Sequence, residues 1–280
     1  MLIIDGHVHI HDCFDISRFF ASAFSNFLQA ARNAGCDLPH IPVLLLTEGR
    51  GQRVFQRIQE GTKKGSNRIG DEQTGGYRVF ATEEGESLRV QRMDGAYLYL
   101  VSGRQIVTAE RLEVLALSTV SEIPDGLSLE ETVAAVREEG ALPVIPWGFG
   151  KWIGRRGRIL KRFMENASRS DFFLGDNGGR PAFLPEPAHF LLGKERGIRI
   201  LPGSDPLPYP SETDRAGSFG FALRVSIDPG RPAHGIRTAL SDHATRPEPY
   251  GRLETPFRFL RNQIAMQMMK FGKRSRPKNP

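Results

Sequence analysis

The residues of this 280-residue chain best suited to chemistry lie at its start, where the sequence reads DGHVH from Asp5 to His9. Alternate residues of a β-strand point to the same face, so we expect His7 and His9 to project together with Asp5 beside them. Two adjacent imidazoles form half of a divalent metal site, and Asp5 can orient one of them through its other ring nitrogen. His11 either supports this pair or is a bystander. The alternative is a histidine-rich strand end that binds no metal.

A second candidate region is the loop of residues 146–152, which is rich in glycine and tryptophan and precedes a basic helix. Glycines let a backbone approach a ligand closely, a helix N-terminus favours an anion, and Lys151 adds positive charge. We therefore expect Lys151 to bind substrate. The alternative is that the tryptophans close the mouth of the fold, while Arg155, Arg158 and Arg162 form a solvated outer face.

A third region is the turn that begins at Asp176 and ends at Arg180. It follows a short apolar run, so it should lie at the same edge of the fold as the two histidines. Either charged residue can contact a substrate there. The intervening Asn-Gly-Gly sequence is also typical of a simple turn, because these residues tolerate positive φ angles.

The elements that must position these residues alternate along the chain between short apolar runs and amphipathic stretches. Strands are predicted at residues 2–10, 41–46, 142–146, 171–174 and 198–201. Helices are predicted at residues 15–35, 51–60, 128–139, 152–166, 186–196, 233–242 and 255–271. Such alternation is typical of an α/β fold, here an irregular (β/α) TIM-like barrel of seven or eight parallel strands. Active sites of these barrels lie at the carboxyl ends of the strands.

The middle of the chain breaks this alternation. Residues 62–119 contain short apolar segments separated by turn residues, which predicts a β-meander inserted into the barrel. We expect one barrel domain over residues 1–271, containing this insertion, and a basic disordered tail over residues 272–280.

The composition, 39% hydrophobic and 25% charged, is that of a globular protein, and no apolar run is long enough to span a membrane. The first residues lack the basic start and apolar core of a signal peptide. Cys13 and Cys36 supply neither a disulfide framework nor a metal-binding CxxC pair. We therefore expect a cytoplasmic protein.

The net charge of +6 is concentrated in two places. Residues 151–162 carry six basic side chains and residues 270–280 carry five, with no acid in either stretch. Elsewhere acidic residues outnumber basic ones, so the chain has no general basic surface. This distribution favours a small anionic substrate over a nucleic-acid partner. The alternative is that the basic helix and the tail contact nucleic acid or a membrane surface. It does not indicate an oligomeric state.

In order and spacing, these motifs resemble the PHP domain, the polymerase and histidinol phosphatase family of amidohydrolase-like barrels, over residues 1–210. The family's HxH pair corresponds to His7 and His9, and its Thr-Asp-His motif to Thr47-Glu48. Its Gly-Ile-Glu, Ala-His-Pro and Gly-Ser-Asp-Ala-His motifs correspond to residues 103–106, 145–148 and 203–206. The chain lacks the family's middle glutamate, the histidine before proline and the last histidine.

The resemblance implies a metal-dependent hydrolase in which His7, His9, Asp205 and Glu48 bind the ion. Because three family ligands are missing, we expect one divalent ion (Zn, Mn or Fe) and not a trinuclear site. Asp205 would also accept the proton of the activated water, and Lys151 would neutralise the substrate, foremost a phosphoester.

Two alternatives stay open. Asp205 can be a plain turn residue or a helix cap. The missing ligands are also compatible with a metal-depleted barrel that acts as a binding or scaffolding protein. A chain that binds no metal, with His7 and His9 hydrogen-bonded to protein groups, would favour this second function.

Overall fold

Two β-sheets covered by helices make up the described part of the chain, which in this computed structural model comprises residues 1–33, 40–65, 67–70 and 76–274. The first sheet contains β1 (Leu2–Val8), β2 (Ile41–Leu46), β3 (Arg68–Ile69), β4 (Tyr77–Ala81), β5 (Ser87–Arg92), β6 (Tyr97–Val101), β12 (Phe219–Leu223) and β13 (Glu248–Gly251). The second contains β7 (Gly103–Val107), β8 (Glu113–Leu117), β9 (Leu142–Pro146), β10 (Phe173–Asn177) and β11 (Ile200–Gly203). The helices are α1 (Ile16–Asn33), α2 (Val54–Lys63), α3 (Leu129–Glu138), α4 (Gly154–Asn166), α5 (Ala188–Glu195), α6 (Pro232–Ser241) and α7 (Pro256–Arg274).

Strand β1 is central to the first sheet and is buried along its whole length. It pairs in parallel with β2 and antiparallel with β12. Because its side chains alternate, Ile3 packs in one apolar core and Ile4 in another. The first core is closed by the apolar face of α1, where Phe19 and Phe27 are fully buried. Burying each such ring stabilises the fold by about 1.5–3 kcal/mol, which anchors the strand that carries the histidines.

The α/β class predicted from the alternation is confirmed, but a closed parallel barrel is not. The first sheet has the order β13-β12-β1-β2-β6-β5-β4-β3, and the second has the order β11-β10-β9-β8-β7. Only β1–β2, β2–β6, β9–β10 and β10–β11 pair in parallel. An isolated bridge between Glu48 and Arg104 links the two sheets at one side. The antiparallel strands therefore replace much of the parallel barrel that we predicted.

The meander predicted within residues 62–119 is present as β3 to β6, in which consecutive strands pair antiparallel. Strand β7 then starts the second sheet and pairs antiparallel with β8, a hairpin that the sequence pattern did not separate from the meander. Residue 35, where we predicted the end of α1, lies outside the described residues, as do Cys36 and residues 275–280. The domain boundary at residue 271 remains a prediction. No helix in the described ranges is both long and apolar enough to cross a membrane.

The ends of β1 and β11 approach each other closely, and glycines make this approach possible. A Cβ at Gly203 would overlap the backbone nitrogen and the Cβ of His7. A Cβ at Gly6 would lie 2.7 Å from the carbonyl oxygen of Pro202. The absence of side chains at both positions brings residues 204 and 205 directly beside the histidines of β1.

Candidate metal centre

Three ligand-type side chains converge where β1 and β11 end. His7 Nε2 and His9 Nε2 lie 3.1 Å apart, and Asp205 Oδ1 lies 3.5 Å from the first and 3.4 Å from the second. In tetrahedral coordination with bonds of about 2.0–2.1 Å, neighbouring ligand atoms are about 3.3–3.4 Å apart. The observed triangle therefore matches three ligands of one cation, and the three residues fit a divalent metal. Within the described residues, they form the candidate metal cluster.

The end of β1 places both imidazoles in this triangle. The pairing of β1 with β2 shifts register between Asp5 and Val8, so the strand is irregular where the histidines occur. Both histidines are buried, and the Nδ1 atom of His9 has no hydrogen-bond partner. The Nε2 atoms of both rings are thus the ones that face Asp205.

The protonation states of these groups suit a cation. Burial lowers the pKa of His7 to about 4, although the charge of Asp205 acts in the opposite direction. Burial also disfavours the charged form of Asp205, but attraction by His7 and a hydrogen bond from His9 outweigh it and hold the pKa of this carboxyl well below its usual range. At neutral pH the site therefore offers a neutral His7 ring and an ionised carboxylate, the forms in which these groups bind metals.

Asp205 is held in an uncommon backbone conformation. Its φ angle is +46°, in the left-handed region that aspartate tolerates better than most residues. Its backbone N–H donates to the carbonyl oxygen of His7 at 2.8 Å. The side-chain amide of Asn177 donates to its Oδ2, which leaves Oδ1 facing the histidines. Two strand ends thus fix both the backbone and the carboxylate of Asp205.

Asp5 supports the site differently from our prediction, in which it orients an imidazole. Its Oδ1 accepts a hydrogen bond from the Ser204 backbone at 2.8 Å, and its Oδ2 accepts from the Ser204 hydroxyl at 2.5 Å and from Gly217 N at 2.8 Å. Burial raises its pKa to about 6, although these donors act against the rise. The contact with His7 is made by the backbone N–H, 3.3 Å away. Asp5 therefore holds the segment before Asp205 and does not touch a ring.

The expectation that Glu48 completes the ligand set is corrected by its position. Its Oε1 accepts hydrogen bonds from the backbone of Val54 at 2.5 Å and Phe55 at 3.0 Å, at the start of α2. Its Oε2 lies 3.5 Å from the guanidinium of Arg104. The free N–H groups of a helix N-terminus attract a carboxylate. Glu48 accepts hydrogen bonds from these N–H groups and is not part of the triangle.

Lys151 lies near the site but already has a carboxylate partner, because its Nζ forms an ion pair with Glu113. The positive charge of Lys151 helps to lower the pKa of Asp205, and the negative charge of Glu113 acts on His7. The pair is therefore close enough to influence the triangle electrostatically. A role of Lys151 toward substrate remains a prediction, since an anion must compete with Glu113 for it.

Asp176, Arg180 and His11 are the remaining residues that we predicted near the site. Asp176 and Arg180 form a two-pronged ion pair with distances of 2.7 and 2.8 Å, so each charge is compensated by the other. A contact of either residue with substrate remains a prediction. The Nε2 atom of His11 lies 2.9 Å from the carbonyl oxygen of Pro206. Its ring stacks on His9 at 5.4 Å between centroids. His11 therefore packs against His9, and its support of the site remains a prediction.

Three site residues were missed by sequence reasoning: Gln105, Glu113 and Asn177. Gln105 Oε1 lies 3.3 Å from His7 Nε2. Gln105 occurs where the PHP pattern has its middle glutamate, and this was the signal that could have identified it. Asn177 directly follows Asp176, which the turn motif indicated as a substrate contact, and no signal in the sequence distinguished Asn177 as a partner of Asp205. No sequence signal distinguishes Glu113 from other polar residues at strand starts.

Comparison with known proteins gives matches at the level of structure. No sequence model of a protein family matches the chain, and neither does any curated protein. PsfC from Pseudomonas syringae PB-5123 has a similar fold, with a TM-score of 0.50 and 17% identity, over 95% of this chain and 98% of PsfC. At this identity the likeness concerns the fold alone.

Two further solved structures match at lower TM-scores. One is a two-domain protein from Bacteroides vulgatus ATCC 8482 that contains a predicted PHP-like metal-dependent phosphoesterase. Its TM-score is 0.46 and its identity 14%, over 90% of this chain and 64% of that one. The other is the lesion-specific endonuclease PfuEndoQ from Pyrococcus furiosus, with TM-score 0.45 and identity 13%, over 87% of this chain and 57% of that one.

Proposed function

We propose that this protein is a PHP-like, metal-dependent hydrolase that acts on a small anionic substrate, foremost a phosphoester. The observation that carries the proposal is the triangle of His7, His9 and Asp205, whose edges match those between ligands of one cation. Carboxylate and imidazole donors suit Zn, Mn or Fe. A bound divalent ion would supply Lewis-acid polarisation and a water of lowered pKa.

The protein groups have separate tasks in this proposal. His7 and His9 hold the ion through Nε2, and His11 restricts the ring of His9 by stacking. Asp205 holds the ion and accepts the proton of the attacking water. Asn177 keeps its Oδ2 oriented throughout.

Gln105 and Asn177 limit the site to one ion. Both contact the triangle through neutral amides, and Glu48 is held at the start of α2. A second divalent ion nearby would need further anionic or imidazole ligands, which these positions do not supply. We therefore expect a stoichiometry of one metal per chain.

In this proposal, Lys151 neutralises the negative charge of the substrate. When an anionic group enters, Lys151 can exchange its ion pair with Glu113 for one with the substrate. The exchange costs part of the attraction, so an anion with two charges should bind better than one with a single charge.

The proposal is tested by measuring metal content and hydrolysis on the same purified protein. We expect about one equivalent of Zn, Mn or Fe and turnover of a phosphoester panel, both lost in the His7→Ala/His9→Ala double variant. His234→Ala/His243→Ala is the matched control, because both histidines lie outside the triangle. Equal metal content and equal hydrolysis in the two double variants would refute the proposal.

A second function, a metal-free binding protein, is favoured by one observation. The histidines and Asp205 contact one another, and the side-chain amides of Gln105 and Asn177 contact His7 and Asp205. Metal titration distinguishes the two functions. A wild-type chain that binds none of the three metals more tightly than its double variant would support the binding protein.

A further inference from the structure

The basic residues around α4 differ in whether they have partners. Lys151 pairs with Glu113, and Lys161 pairs with Glu165 at 3.8 Å. Arg156 donates to the carbonyl oxygen of Gly150 at 2.7 Å. These three cations are therefore used within the fold, and they leave only part of the basic helix for other contacts.

The remaining three, Arg155, Arg158 and Arg162, are exposed and form a stripe along one face of α4. Within the described ranges, no carboxylate oxygen lies within 4.0 Å of their guanidinium groups. Their spacing of three and four residues corresponds to rises of about 4.5 and 6.0 Å along the helix axis. Three neighbouring guanidinium groups without counter-charges repel one another, so the stripe is a favourable place for anions.

The stripe lines a groove of about 700 Å³ between α3 and α4. Apolar side chains form part of its surface, namely Ala134 of α3 and Ile159 and Phe163 of α4. On the α3 side, the charge of Arg137 is compensated by Asp171 at 3.0 Å, and the acids Glu110 and Glu130 also line the groove. The groove thus combines an apolar surface with a cationic wall along one edge.

We infer that this groove binds an acidic amphipathic helix of a partner protein. A helix lying along α4 presents carboxylates with the same three- and four-residue spacing as the arginines, while its apolar face covers the half-buried Ile159 and Phe163. Arginine forms two-pronged hydrogen bonds with carboxylates, which suits such a row. Single-stranded nucleic acid fits less well, because binding usually needs several aromatic platforms and Phe163 is the one aromatic side chain lining the groove.

The experiment uses the full chain and a fluorescent helical peptide that carries Glu at positions i, i+3 and i+7 beside a leucine face. A control peptide of the same composition has its glutamates spread around the helix. We expect anisotropy to show at least about ten-fold tighter binding of the first peptide. A triple Arg155→Gln/Arg158→Gln/Arg162→Gln variant should lose at least about ten-fold in affinity.

A matched variant controls for net charge. The control variant also loses three positive charges, but from arginines that pair with Asp214, Asp94 and Glu248. Its substitutions are Arg18→Gln, Arg92→Gln and Arg224→Gln. It should bind the peptide like the wild type. Replacing the three stripe arginines by Glu should abolish binding, and a peptide with Lys in place of Glu should restore it. Thermal unfolding of each variant verifies that it is folded.

Three outcomes would overturn the inference. Equal losses in the two triple variants would mean that only net charge matters. Equal affinity for both peptides would mean that helical spacing is irrelevant. Tighter binding of a single-stranded oligonucleotide of equal charge, lost in the stripe variant, would assign the groove to nucleic acid.

Discussion

Asp5 and Ser204 are joined by two hydrogen bonds, one from the Ser204 backbone N–H at 2.8 Å and one from its hydroxyl at 2.5 Å. Ser204 directly precedes Asp205, and Arg215 donates to the carbonyl oxygen of Ser204 at 3.0 Å. Both hydrogen-bonding groups of the Ser204 backbone are therefore occupied. The left-handed φ of Asp205 is maintained by this fixed neighbour, because the conformation is unfavourable by itself.

Replacing Asp5 by Asn should destabilise the protein by about 2–3 kcal/mol. The amide would turn an N–H group toward donors from Ser204 or Gly217, so at least one buried hydrogen bond is lost. Urea unfolding at pH 7 measures the change. Asp12→Asn is the control, because the side chain of Asp12 is 97% exposed. Equal stability of the two variants would contradict the structural role of Asp5.

A methyl group at Gly203 should disrupt the approach of β11 to β1. The Cβ of Gly203→Ala would overlap backbone and Cβ atoms of His7, so we expect a loss of at least about 3 kcal/mol in unfolding free energy. Gly85→Ala is the matched control, since its Cβ would meet nothing within 4 Å. Thermal unfolding compares the two. A Gly203→Ala protein as stable as the control would show that the strands can separate without cost.

Sequence patterns within a single strand were sufficient to identify the site residues that one strand places by itself. The histidines of β1 could be found because alternation along a strand is a local property, and Asp205 because it follows an apolar run. Glu48 has the right residue type and also follows a strand. Its carboxylate is nevertheless taken by the N–H groups of α2, a competition that depends on tertiary structure.

The missed contacts come from pairings between distant segments. Gln105 reaches His7 across 98 residues of sequence, from a strand that the pattern did not separate from the meander. Asn177 reaches Asp205 because β10 pairs with β11 in a register that places residue 177 opposite Gly203. A shift of one residue in that register would have brought Asp176 there instead. Composition and periodicity carry no information about such a register.

The metal-free protein should lose stability as the pH falls, because of His7. Its pKa is about 4 in the folded protein and about 6.5 for an ordinary histidine, so the unfolded chain takes up the proton first. The stabilising contribution is complete above pH 6.5 and is lost between pH 6.5 and 4. With EDTA present, wild type should lose about 2 kcal/mol more than His7→Gln between pH 7 and pH 5. Parallel pH profiles from urea unfolding would show that His7 titrates normally.

Gln105→Glu should strengthen metal binding by about ten-fold, because it places an anionic oxygen where an amide oxygen now lies 3.3 Å from His7 Nε2. Isothermal titration with Zn and with Mn measures the affinity. Gln267→Glu controls for net charge at an exposed position of α7. If both variants bind metal like the wild type, the amide of Gln105 does not face the ion.

Glu113→Gln should improve the binding of anionic substrates, because it releases Lys151 from its ion pair. We expect KM for a phosphomonoester to fall about three- to ten-fold with little change in kcat, while Lys151→Met raises KM by a similar factor. The double variant should resemble Lys151→Met, since the effect of Glu113 acts through the lysine. A neutral ester serves as the control substrate and should be unaffected by any of the three variants. If Glu113→Gln instead lowers kcat alone, the carboxylate takes part in proton transfer and not in holding Lys151.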